Sequence, residues 1–262
     1  MPSDRDITPS RRGGPTAAES GVTRDRQFGG SAGWRDHRHR DVSGGQLRPI
    51  VFGAVDGLVT NAALIAGVGG GGGSTHTLLL TGVSGLLAGA FSMGSGEFIS
   101  VTNQNELVHS EVAIEREMHV RYPEAERAEL EGRFSGLGAD DETAHRMAAA
   151  VSADPETALW FHARDELGVD PQELPSALSA GVSSLIAFSI GAFVPLLPYV
   201  VGLSWLWLAL ALTGIVLLLG GGAVGRMTGR SVLRSGVRQV MLGGAAVAVT
   251  YGVGALIGAA AG

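Results

Sequence analysis

The chain contains no cysteine among its 262 residues. That excludes disulfides, thiolate metal sites and iron–sulfur clusters, and it leaves the redox compartment unread. Lysine is also missing, so all 19 basic residues are arginine; this absence carries no functional reading. The most informative shortage is of charge in the apolar stretches. Between Pro49 and Ser100 the only charged residues are Asp56 and Glu97, and there are none from Leu174 to Gly225 or from Gln239 to Gly262. An ionisable side chain at the centre of a lipid-spanning helix costs roughly 2.5–3.5 kcal/mol on insertion scales. Two acids kept at such depth with no base beside them point to handling of a cation.

Charge is segregated along the chain. The first 48 residues carry nine Arg against six acids, the stretch Val101 to Glu173 carries 17 acids against six Arg, and Arg226 to Arg238 carries four Arg and no acid. The dense acidic block argues against nucleic acid as a partner, because phosphates need a basic surface. Residues 1–48 are rich in Arg, Ser and Gly and have no apolar run long enough for a signal peptide. They read as a disordered cytoplasmic tail, with His37 and His39 solvated.

Five segments are long and apolar enough to span a bilayer, which takes about 20 residues: about Pro49–Val68, Thr77–Val101, Leu174–Leu197, Leu203–Val224 and Val237–Ala261. The second is diluted by Gly82, Gly85, Gly89, Gly94 and Gly96, the residue type that lets helices approach closely. The expected fold is an all-α membrane protein with five transmembrane helices and a cytoplasmic helical metal-binding insert between spans 2 and 3. Its expected divisions are a tail at 1–48, two spans at 49–101, the acidic domain at 102–173 and three spans at 174–262. Arginine flanks the first span and fills the link between the fourth and fifth, while the other two short links have none. The positive-inside bias then places the N-terminus in the cytoplasm and the C-terminus outside.

Val101 to Tyr122 has neither Gly nor Pro, so the second span is expected to run on unbroken to Arg121, well beyond the membrane. Pro123 suits the first turn of a following helix to Phe134. Asp140 or Asp141 suits the cap of a helix ending near Val151, and Asp154 the cap of one from Pro155 to Leu167 that Gly168 terminates.

Candidate ligands fall into two sets. Asp56 lies in the first span, and Met93 and Glu97, four apart and so on one helix face, lie near the end of the second. The two spans run antiparallel, which allows similar depths. Carboxylates with a thioether suit a transition metal such as Fe²⁺ better than Mg²⁺ or Ca²⁺. In the acidic block, Glu111, Glu115 and Met118 are spaced i, i+4, i+7; Glu126 and Glu129 are three apart; His162 and Glu166 are four apart. Each pair aims two ligands at one point, although a solvated acidic face gives the same pattern. Glu117, Glu124, Glu131, Asp140, Asp141, Glu142 and Glu156 read as such a face.

The segments Asp56-Gly57-Leu58-Val59-Thr60-Asn61 and Ser92-Met93-Gly94-Ser95-Gly96-Glu97-Phe98-Ile99-Ser100-Val101, with an acidic insert closing on His162-Ala163-Arg164-Asp165-Glu166-Leu167-Gly168, resemble the vacuolar iron transporter family across about residues 48–262. The resemblance implies five spans, a homodimer with a cation path near the subunit interface, and proton-coupled export of Fe²⁺, often also Mn²⁺, from the cytosol. It matches Asp56 and Met93 to pathway positions and Glu115, Glu126, Glu129, His162 and Glu166 to ligands of the family's cytoplasmic domain. Met118 departs from the pattern where another Glu is expected, and His162 and Ala163 stand where sulfur ligands occur. The implied partners are membrane lipid, a second copy of the chain and divalent metal, with no prosthetic group and with protons as coupling ion. Apart from the resemblance, the expected location is a bacterial-type plasma membrane, with the identity of the outer compartment left open by the sequence. Two rivals are a membrane-anchored iron sensor or buffer, and an intramembrane aspartyl protease using the two buried acids.

Overall fold

The computed structural model describes residues 47–261, and among them every regular element is helical. The expected tail lies outside these residues, apart from its last two positions. In chain order the elements are α1 Leu47–Gly70, α2 Thr75–Arg121, α3 Pro123–Gly136, α4 Asp141–Ser152, α5 Pro155–Leu167, α6 Ala177–Phe193, a 3₁₀ turn Val194–Leu196, α7 Leu197–Val200, α8 Leu206–Met227 and α9 Val232–Ala261. Five stretches are long and apolar enough to cross a membrane: Pro49–Gly70, Thr75–Arg121, Ala177–Val200, Leu206–Met227 and Val232–Ala260.

Local chemistry sets the boundaries. Gly72 adopts φ 81° in the turn after α1, and Ser74 then caps α2 by accepting from the Thr77 amide at 3.3 Å. With no breaker in its second half, α2 runs for 47 residues, about 70 Å at 1.5 Å per residue. Only ~30 Å of that fits in a hydrocarbon core, so the remainder projects beyond it. Asp140 caps α4 through the Thr143 amide at 2.9 Å, and Asp154 caps α5 through the Thr157 amide at 3.1 Å. The Thr143 amide bond, and for Asp154 first the Thr157 hydroxyl and then its amide, hold both carboxyls below their ordinary range. Gly168, at φ 66°, ends α5 in the left-handed conformation that favours glycine.

The third apolar stretch departs from the single helix expected over Leu174–Leu197. Its helix starts only at Ala177, after Pro175, and gives way to a 3₁₀ turn at Val194–Leu196 and the short α7. Pro195 and Pro198 cannot donate the amide bonds a continuous helix needs. The break is tied to α1 by Asn61, whose Nδ2 donates to the Ala192 carbonyl at 2.6 Å. Beside it Ile65, Leu78, Leu196, Tyr199 and Ala209 form one buried cluster. The fifth stretch begins earlier than expected, at Val232, and so takes Arg234 into the helix as well as Arg238.

Glycine permits the closest contacts of the bundle. α6 lies against α1 so tightly that a Cβ on Gly57 would strike the Phe188 carbonyl, and one on Gly191 would strike the Ala54 carbonyl. α9 meets α1 in the same way at Gly67 and Gly254. The insert has a separate core of Leu130, Phe134, Ala144 and Ala148, with Phe161 packed against it.

Replacing Gly191 by Ala is expected to lower the thermal stability of the detergent-solubilised protein by at least about 1–3 kcal/mol, the usual result of overpacking. Gly214→Ala, where a Cβ would meet nothing within 4 Å, should be neutral or stabilising because Ala is the better helix former. Thermal unfolding of the two variants side by side checks this.

Candidate metal centre

From Asn105 to Arg121 the buried and half-buried positions of α2 are Asn105, Val108, Val112, Glu115 and His119. Spacings of three and four make these one stripe, and it faces the other helices of the insert. Glu115 and His119 are therefore carried inward near the end of α2. Glu126, in the first turn of α3, and His162, in the middle of α5, arrive from the other side, both buried. One ligand atom from each of these four residues lies within 4.8 Å of the other three.

The details favour an ion over a self-contained network. His162 Nδ1 is 3.1 Å from Glu115 Oε1 and 3.7 Å from Glu126 Oε2. His119 Nε2 is 3.4 Å from the same Glu115 oxygen, and the two imidazoles meet edge to face with centroids 4.7 Å apart. Yet Glu115 Oε1, His119 Nε2 and His162 Nε2 are buried without a hydrogen-bond partner. A buried polar atom left unpaired costs about 1–3 kcal/mol. Glu115 Oε1 and His119 Nε2, 3.4 Å apart, would be satisfied together by a cation. Two imidazoles and two carboxylates form a nitrogen–oxygen donor set suited to first-row divalent metals.

The electrostatics agree. The Glu115 carboxyl is pushed up to about 7, first by burial and then by the negative charge of Glu126. Burial, and then the neighbouring His119, push His162 below its ordinary value, which keeps its imidazole neutral and able to bind metal. Glu129 and Glu166 stand next to this group but outside it. They share a hydrogen bond that, after burial, raises Glu166. Arg133 lies 3.9 Å from Glu129, 3.8 Å from Glu166 and 3.3 Å from Asp165.

The structure thus gathers Glu115, Glu126 and His162 from the sequence candidates and sets Glu129 and Glu166 alongside. It does not bring Glu111 or Met118 in: both are exposed on α2, off the buried stripe. His119 takes the place expected of Met118, so the gathered donors include no sulfur. His119 was missed in the sequence; the apolar residues Val108 and Val112 share its face of α2 and were the one available sign of it.

In the apolar bundle, Asp56 is half-buried on α1, where Thr60 Oγ1 donates to its Oδ1 at 3.2 Å. Glu97 is half-buried on α2. Met93 packs against the cluster of Ala90, Phe188 and Ala192. Asn61, one residue beyond Thr60, is 0% exposed, and its Oδ1 has no partner. It stood inside the motif around Asp56 but was not singled out in the sequence, because an amide carries no charge to mark it.

Comparison with known proteins decides the family. The family model described as "VIT family" matches residues 47–255. The chain is 30% identical over 219 residues to "Vacuolar iron transporter 1" of Arabidopsis thaliana, covering 82% of this chain and 88% of that protein. It is 35% identical over 228 residues to "Vacuolar iron transporter" of Acanthamoeba castellanii, covering 84% and 82% respectively. The chain belongs to the VIT family.

Like the sequence resemblance, the match takes in both the apolar bundle and the acidic insert. As a VIT family member with five helices able to cross a bilayer, the protein is an integral membrane protein.

Metal binding to the four-residue group requires Glu115 to be ionised. Apparent affinity for Mn²⁺, measured calorimetrically on the solubilised protein, should fall by about tenfold per pH unit below about 7. Glu115→Gln and His119→Ala should each weaken binding by about 10–100-fold. Without metal the sign reverses for stability. An acid whose folded pKa is raised from 4.5 to about 7 favours the folded state at low pH, and that contribution is lost as pH rises across this window. Glu115→Gln should flatten that slope in thermal unfolding.

Proposed function

We propose that this protein carries a divalent transition metal, Fe²⁺ and also Mn²⁺, out of the cytosol in exchange for protons, working as a homodimer in a bacterial-type plasma membrane. The observation that carries the reading is the convergence of Glu115, His119, Glu126 and His162, within which Glu115 Oε1 and His119 Nε2 are buried without partners. Family membership supports transport, and relatives named as iron transporters support iron as the cargo.

In this reading the insert is cytoplasmic, consistent with arginine on the α8–α9 side and none in the α1–α2 link. Its net negative charge concentrates dications near the pore mouth. The four-residue group, with Glu129 and Glu166 beside it, takes metal from solution. From there metal passes to Glu97 and Met93 and then to Asp56, whose carboxylate supplies a hard oxygen where lipid supplies nothing. Protons entering from the outer side compete for the same carboxylates and release the metal outward. The tightly packed glycine contacts of α1, α2 and α6 let these helices shift as units, which alternating access requires. Nothing in this cycle makes or breaks a covalent bond, so the protein is read as a non-enzyme.

Dye-loaded proteoliposomes test the proposal. Fe²⁺ or Mn²⁺ should quench the internal dye, faster with an opposing pH gradient, while Ca²⁺ should not. Asp56→Ala should reduce the rate at least about tenfold, as expected when a buried ligand is removed. Metal binding with no flux in the unaltered protein would instead make it a sensor or buffer.

A further inference from the structure

The start of α9 carries a basic cavity that the metal pathway does not use. Arg230, Ser231, Arg234, Ser235 and Arg238 line a space of about 400 Å³. Arg234 and Arg238, four apart, share one side of α9, and Arg230 stands in the turn just before the helix. Four arginines of the insert are paired with acids: Arg116 with Glu156, Arg121 with Glu117, Arg133 with Asp165, and Arg164 with Asp170. Among the described residues Arg230, Arg234 and Arg238 have no carboxylate partner, and from Leu174 to Gly262 the sequence contains no acid. Ser231 spends its hydroxyl on the Arg234 amide at 3.4 Å. Ser235, only 7% exposed, forms the floor beside Gly225.

Three unpaired guanidinium groups around one cavity match a phosphate, whose oxygens accept their paired N–H donors. The surroundings decide which phosphate. From Gln239 to Ala261 α9 carries no charge, a length of about 34 Å that by itself fills a ~30 Å hydrocarbon core, which puts the arginine-bearing first turns at headgroup level. Leu233, Val237 and Met241 are exposed on the same helix, each beside or one turn past an arginine of the cavity. A ligand with an anionic head and apolar tails satisfies both surfaces; a free anion satisfies only one.

We infer that Arg230, Arg234 and Arg238 bind the phosphodiester headgroup of an anionic membrane lipid, whose acyl chains lie along Leu233, Val237 and Met241. The site anchors the α8–α9 corner of the bundle to one leaflet.

Native mass spectrometry of the full chain with phosphatidylglycerol, phosphatidylcholine or inorganic phosphate tests this. Phosphatidylglycerol should be retained, phosphatidylcholine should not, and millimolar phosphate should fail to displace the bound lipid. Arg234→Gln should reduce retention about fivefold and the triple Arg230→Gln, Arg234→Gln, Arg238→Gln variant about a hundredfold. Arg226→Gln, in the same basic stretch but outside the cavity, should change it less than about twofold. To guard against poor insertion of the triple variant, a photoactivatable phosphatidylglycerol is also cross-linked to the unaltered protein, with label expected within residues 230–242. Displacement by phosphate, equal losses in the Arg226 and Arg234 variants, or label mapping elsewhere would each overturn the assignment.

Discussion

Two carboxylates and two imidazoles cannot share a buried point comfortably unless something positive joins them. That constraint organises the insert. Glu115 and Glu126 repel each other, which is one reason the Glu115 carboxyl is pushed up to about 7. His119 and His162 are too closely placed for both to be charged without penalty, and burial holds His162 toward its neutral form. A proton and a dication would compete for such a site, which is what the proposed exchange of the two requires.

The scaffold explains how the four residues meet. α2 is one unbroken rod of 47 residues, so its lipid-depth half and its insert half turn as a single body. The same helix carries Met93 and Glu97 at one level and Glu115 and His119 further along. Rotation of α2 against α6, allowed by glycine contacts such as Gly94 against the Gly181 carbonyl, would therefore move both sets of ligands together. Such a movement would couple the insert to the proposed path through the bundle.

Much of this was legible in the sequence. The caps Asp140 and Asp154 and the stop at Gly168 fall where the chain itself marks them, because capping depends on a few adjacent residues. The five apolar stretches and the continuous α2 were readable from hydropathy and from the absence of breakers. The break in the third stretch was harder: Pro195 and Pro198 stand in a run apolar enough to hide them. The ligand set was legible only in part. Glu115, Glu126 and His162 were found by spacing, but spacing alone could not say whether α2 presents Glu111, Glu115 and Met118 or Val112, Glu115 and His119. Tertiary packing chose the second face, which Val108 extends toward the membrane. Asn61 stayed hidden because its role rests on a long-range bond to the break after Ala192.

The claim on which the rest stands is that a dication sits among Glu115, His119, Glu126 and His162. Anomalous diffraction at the manganese edge, from crystals of the full chain grown with Mn²⁺ above pH 7, tests it most directly. The account predicts an anomalous peak bonded to both imidazoles and both carboxylates. A peak bound only to Glu129 and Glu166, or only to exposed Glu111 and Met118, with the four-residue group left empty, would contradict it.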